Sequence, residues 1–168
     1  MGLLQTADFV GSYAVAQDQI TIIDLQKVID EYESVYLAKM FGATLSVDLF
    51  NYVDGGSTPV NPLFDFIYNP FTLDLDCELL ISLGVKQALI GFIYYEFVVK
   101  NKIKASQISG VERVKMENST SSIGIEPQVY NSYNNAVKTT KAIQYYILKN
   151  KVDYPDFNGR KFLLNYSL

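Results

Sequence analysis

The chain has no histidine, no tryptophan and a single cysteine, Cys77, in 168 residues. Histidine is the side chain that ordinarily gains and loses a proton near neutral pH. Its absence removes His-based nucleophile triads and imidazole metal ligands. One cysteine excludes an intramolecular disulfide and a cysteine-cluster zinc site. Cys77 reads as a small buried hydrophobe rather than a nucleophile. Basic residues are also scarce: 14 Lys and Arg stand against 18 Asp and Glu, a net charge of −4. That balance argues against a protein that holds nucleic acid by neutralising phosphates. It leaves room for one that surrounds DNA without gripping it. The opening residues Met1-Gly2-Leu3-Leu4-Gln5-Thr6 lack the basic start and long apolar run of a secretory leader.

What is present is apolar and aromatic. Hydrophobic residues make up 49% of the chain and charged residues 19%, which fits a globular protein slightly short of surface charge. The length fits one domain over residues 1–168, with enough chain to bury a core. Aromatic content rests on 13 Tyr and 10 Phe. Tyrosine has an apolar body and a polar tip, so the surplus suits either surfaces covered on assembly or a tyrosine-rich core.

Hydrophobic periodicity predicts three long helices. Over residues 22–41, Leu25, Val28, Ile29, Tyr32, Val35, Tyr36 and Met40 recur at three- and four-residue steps. Asp24, Lys27, Asp30, Glu31 and Lys39 take much of the other face, and Gly42 ends the pattern. A shorter helical pattern covers residues 43–53. Residues 82–100, with Ser82 as N-cap, are apolar almost all round. Lys86 and Glu96 interrupt that run, so it reads as a central helix wrapped by others rather than a membrane span. A third long helix spans 127–150, opened by Pro127. Thr6 is the expected cap of a short N-terminal helix, and residues 61–76 read as irregular, with a brief extended piece at Phe64-Asp65-Phe66.

Two segments stand apart. Residues 101–126 are polar, and a connection that long is uncommon in a compact domain. They are expected to form an inserted extended arm or β-hairpin that orders against a partner, with Gly110-Val111-Glu112-Arg113-Val114-Lys115-Met116 as a strand candidate. Residues 151–168 contain Pro155 and Gly159, so they are expected to be an extended tail. The fold expected is therefore mainly α: a helical bundle around a buried central helix, with the 101–126 arm and the C-terminal tail.

Few groupings point to chemistry. Asp74, Asp76 and Glu78 alternate, and in a strand they would share a face able to meet a divalent cation. They lack the glycine and further ligands of a calcium loop, and a solvated loop explains them. Gly55-Gly56-Ser57-Thr58 is followed by no G-K-[ST] and is not a phosphate loop. The basic residues between Lys100 and Lys115 could touch a DNA backbone or an acidic partner, or simply be solvated. No enzymatic activity, cofactor or metal is expected.

The order of elements resembles the head–tail connector, or neck adaptor, proteins of tailed bacteriophages, of the type seen in phages of Bacteroidetes and the crAss-like group. The residues carrying the likeness are Ile29, Tyr32, Glu33, Tyr36, Leu37, Phe41 and Gly42; Gly84 and the run Phe92-Ile93-Tyr94-Tyr95-Glu96-Phe97; Gly110-Val111, Glu117-Asn118-Ser119 and Tyr133-Asn134; and Tyr154-Pro155-Asp156-Phe157-Asn158-Gly159. The resemblance implies a virion structural protein: a helical subunit of an oligomeric ring, commonly twelve-fold, in the phage neck. Such a ring joins portal and capsid to the tail and continues the DNA channel. Its partners would be further copies of itself, the portal protein and the next tail or neck protein. It would occupy the host cytoplasm during assembly and would involve no membrane. Candidate contact residues are Tyr32 and Tyr36, if they are not core, then Arg113, Lys115, Tyr154, Phe157 and Phe162. Deleting 153–168 is expected to spare the helical fold and abolish assembly. The rival reading is a cytoplasmic helical interaction or regulatory protein with no virion role.

Overall fold

The computed structural model describes residues 2–54, 62–75, 78–108 and 127–159. The fold is mainly α. Helix α1 (Gln19–Phe41) is followed by α2 (Ala43–Asp54), α3 (Pro62–Tyr68), strands β1 (Phe71–Leu75) and β2 (Glu78–Ser82), and helices α4 (Val85–Ile108) and α5 (Pro127–Lys149). The N-terminal segment forms two single 3-10 turns, Thr6–Asp8 and Gly11–Tyr13, in place of a short α-helix. Gln5, not Thr6, occupies the cap position of the first turn.

Helix α1 starts three residues earlier than the apolar pattern alone suggests, because Asp18 caps it. The Asp18 carboxylate accepts the Thr21 hydroxyl at 2.6 Å and the Thr21 N–H at 2.9 Å. These two hydrogen bonds hold the Asp18 carboxyl below its usual range. Leu25, Val28, Ile29, Tyr36, Leu37, Met40 and Phe41 are buried, as an apolar stripe requires. Val35 departs from that expectation and is exposed. Gly42, with φ 87°, ends the helix and turns the chain into α2.

Helix α4 is the central helix, packed against α1 on one side and α5 on the other. Val85, Ala88, Leu89, Ile90, Phe92, Ile93 and Phe97 are all buried. Gly91 sits where α5 comes closest. A Cβ there would lie 2.9 Å from the Ser132 carbonyl oxygen, so the missing side chain sets the helix spacing. Both charged residues within the apolar run are paired: Lys86 Nζ with Asp8 at 2.7 Å, and Glu96 with the Tyr36 hydroxyl at 2.6 Å. No helix of the described residues is long and apolar enough to cross a membrane.

Three expectations need correction. Ser82 does not cap α4. It is the last residue of β2, buried, and its hydroxyl accepts the Gly84 N–H at 3.1 Å. Residues 62–75 are ordered structure rather than irregular chain, and Phe64-Asp65-Phe66 is helical. The start of the expected arm, 101–108, continues α4, because nothing in Asn101-Lys102-Ile103-Lys104-Ala105-Ser106-Gln107-Ile108 breaks a helix. The rest of the arm, with its strand candidate, lies outside the described residues. The hairpin that is seen is elsewhere: β1 and β2 pair antiparallel, with Phe71 opposite Ser82 and Leu75 opposite Glu78.

The described residues after α5, 150–159, are anchored to the core. Tyr154 is 1% exposed, and its hydroxyl donates to the Leu63 carbonyl at 2.7 Å. The end of α1 is closed from two directions: Asn158 N–H donates to Phe41 O at 3.0 Å, and Gln144 Nε2 donates to Met40 O at 2.7 Å. These bonds satisfy carbonyls that a helix C-terminus leaves open.

Candidate functional site

Two regions merit description as contact surfaces, and they differ in chemistry. The first is the aromatic seam between α1 and α4. Tyr36 stacks on Phe92 with ring centroids 4.5 Å apart and planes 4° from parallel. Phe92 in turn meets Tyr133 of α5 edge-on at 5.3 Å. Burial, reinforced by the hydrogen bond to Glu96, pushes the Tyr36 phenol far above its ordinary value, so it stays a donor at any ordinary pH. Tyr32 lies one turn away at the edge of the seam, half-buried. Lys100 Nζ sits 4.4 Å from its ring centroid and pairs with Glu31 at 2.5 Å.

The second region is the hairpin and the end of α5 against which it packs. Directly opposed residues of an antiparallel pair share a face. One face holds Phe71, Leu73, Leu80 and Ser82, all wholly or partly buried. Phe71 joins Phe66 at 4.8 Å and Tyr146 of α5 at 5.5 Å in an aromatic cluster. The other face carries Thr72 opposite Ile81 and Asp74 opposite Leu79. Leu79 is 58% exposed and Ile81 55%. On α5, Tyr145 and Leu148 are also exposed. Four large apolar side chains thus face solvent on neighbouring elements.

The expected contact residues are dispersed. Tyr36 and Tyr154 are core residues, with hydroxyls committed to Glu96 and Leu63, so neither presents a surface to a partner. Tyr32 and Phe157 are half-buried, on α1 and in the segment that closes α1. Arg113, Lys115 and Phe162 lie outside the described residues. Leu79 and Ile81 were not singled out by sequence pattern. Leu79-Leu80-Ile81 is apolar at every position, so alternation between faces is invisible there. Of the acidic set, Asp74 is exposed on β1 near the hairpin tip. Among the described residues no three acidic or sulfur-bearing side chains gather as a metal site would need.

No family model, curated protein or solved structure matches the chain.

Proposed function

We propose that this chain is a structural subunit of the ring in the neck of a tailed bacteriophage, joining the portal to the tail and continuing the DNA channel. The observation that carries the reading is the outward hairpin face. Leu79 and Ile81 of that face stand more than half exposed. A face of this kind is characteristic of a surface covered by another protein. In the neck-adaptor reading that protein is a further copy of the chain, with the portal and the next neck or tail protein above and below. The net charge of −4 suits a channel wall along which DNA slides without adhering. Ring closure would use heterologous contacts, one patch on each subunit meeting a different patch on its neighbour.

Negative-stain electron microscopy of the purified protein, alone and with portal, tests this. Rings with a central hole of duplex width are expected, formed alone or on the portal template. Leu79→Glu combined with Ile81→Lys should leave the helical circular dichroism intact and abolish the rings. A monomer or dimer that ignores the portal would favour the regulatory reading instead.

A further inference from the structure

Charge is segregated between the helices of this acidic chain. Helix α5 contains no Asp or Glu, and its exposed positions include Lys138, Lys141 and Lys149. Helix α2 carries Asp48 and Asp54 and no basic residue. On α1 the cations are already engaged: Lys27 pairs with Asp24 at 3.1 Å, and Lys39 lies over the Tyr36 ring. Glu31 is taken by Lys100. Asp30 is exposed and accepts a hydrogen bond from the neutral amide of Gln26 at 2.8 Å. Among the described residues, Asp30 and Asp48 have no cationic partner, and Lys138 and Lys141 have no anionic one.

Each set of charges lies next to apolar surface. Lys138, Lys141, Tyr145 and Leu148 follow one another at three- and four-residue steps and form one exposed stripe on α5. Leu148 is 57% exposed. Between α1 and α2 an open groove of about 120 Å³ is lined by Ser34, Leu37, Ser46, Val47 and Phe50. A cavity of about 150 Å³ lined by apolar side chains holds a benzene molecule, so this groove fits one leucyl group. Asp30 lies one turn before Ser34 on the same face of α1, and Asp48 adjoins Val47 on the exposed side of α2. The spacings agree. Lys141 stands two turns before Leu148, and Asp30 two turns before Leu37, about 10.5 Å along the axis in each helix. A leucine seated in the groove therefore brings a lysine to Asp30.

We propose that the α5 stripe of one copy docks on the α1–α2 groove of a second copy, with Leu148 in the groove and Lys138 and Lys141 facing Asp30 and Asp48. The proposal rests on the ring reading for its partner, and charge complementarity supplies the register. Stripe and groove are different surfaces, so the contact is heterologous and passes from copy to copy as ring closure requires.

The test places the photo-crosslinking residue p-benzoylphenylalanine at position 145 of the full-length chain. This chain is mixed with an excess of nitrogen-15-labelled protein lacking it, irradiated, digested and analysed by mass spectrometry. Crosslinks from position 145 to residues 30–50 of the labelled chain are expected. Lys138→Glu with Lys141→Glu on the crosslinking chain should remove them, and Asp30→Lys with Asp48→Lys on the labelled chain should restore them. That restoration shows that the lysine variant is still folded. Crosslinks confined to one label, crosslinks to another element, no crosslinks, or no restoration by the reversed charges would overturn the proposal. Duplex DNA retained through Lys138 and Lys141 in place of these crosslinks would assign the stripe to nucleic acid and overturn it too. Electron microscopy separates the two readings: rings without these crosslinks would sink the contact alone, and crosslinks without rings would keep the contact and sink the ring.

Discussion

Tyr36 of α1 donates its hydroxyl hydrogen to Glu96 of α4 at 2.6 Å, across 60 positions of sequence. The pair explains how a carboxylate is tolerated within the most apolar helix of the chain. Glu96 is only half-buried, and one of its oxygens receives a donor from a ring stacked flat on Phe92. One contact therefore fixes the rotation of α1 against α4 and neutralises the cost of placing an acid in that helix.

Tyr36→Phe keeps the stacking on Phe92 and deletes only the donor. A hydrogen bond to a charged acceptor is worth about 1.5–3 kcal/mol, and water can replace part of it at a half-buried site. The expected loss is about 1–2 kcal/mol by urea unfolding. Tyr36→Ala, which also empties a packed aromatic position, should cost about 3–5 kcal/mol. Equal losses for the two variants would show that the hydroxyl contributes nothing.

Thr140 lies on α5 with no exposed surface, and among the described residues its Oγ1 has no hydrogen-bond partner. A buried hydroxyl left unsatisfied carries a desolvation penalty of about 1–3 kcal/mol. Valine has nearly the same shape without the polar atom. Thr140→Val is therefore expected to raise stability by about 1 kcal/mol in urea titrations. A clear loss would show that the hydroxyl does have a partner in solution.

The long helices were legible because their apolar positions repeat every three to four residues over five or more turns. That period survives even where single positions such as Val35 break it. The hairpin was not legible. Its strands are five residues each, and Leu79-Leu80-Ile81 hides the alternation. Sequence pattern left Tyr36 open between core and contact and put Tyr154 at a contact, for one physical reason. A tyrosine can be wholly buried when its hydroxyl meets a carboxylate or a carbonyl, and neither partner lies near it in sequence. Sequence pattern marks such a residue as amphipathic without saying which surface covers it.

Glu33 of α1 is 6% exposed and accepts the Leu4 N–H at 2.7 Å, which fastens the N-terminal segment to the helix. Burial raises its pKa above the ordinary value of 4.5, against the pull of the backbone N–H groups of Leu4 and Leu3 and with some help from Asp30. A carboxyl with a raised folded-state pKa binds more protons folded than unfolded. Its contribution is most favourable below the ordinary value and is lost as pH rises through the raised one. Glu33→Gln keeps an acceptor for Leu4 and cannot ionise. Relative to the unsubstituted protein, the variant should gain stability between pH 4 and pH 7 in urea titrations at each pH. Movement in the other direction would mean that the amides stabilise the charge more than burial penalises it.

The described C-terminal segment, up to Gly159, is anchored to the core through Tyr154 and Asn158. Tyr154 fills a buried site and donates to Leu63 O, while Asn158 closes the end of α1. Removing 153–168 therefore takes away a large core aromatic and two long-range hydrogen bonds, one from the Tyr154 hydroxyl and one from the Asn158 N–H. A cost of about 3–5 kcal/mol follows from the aromatic alone, a large share of the roughly 5–15 kcal/mol that keeps a domain folded. That truncation should yield a chain with a much lower denaturation midpoint. Ending the chain at Gly159 instead should preserve most of the midpoint, since every contact named here remains. Tyr154→Phe isolates the hydroxyl and should cost about 1 kcal/mol, because one neutral hydrogen bond is lost while the ring stays packed. Thermal and urea unfolding of the three variants side by side check the order. If the chain lacking 153–168 unfolds at the same midpoint as the full protein, the segment is a free tail and the packing of Tyr154 does not hold the fold together.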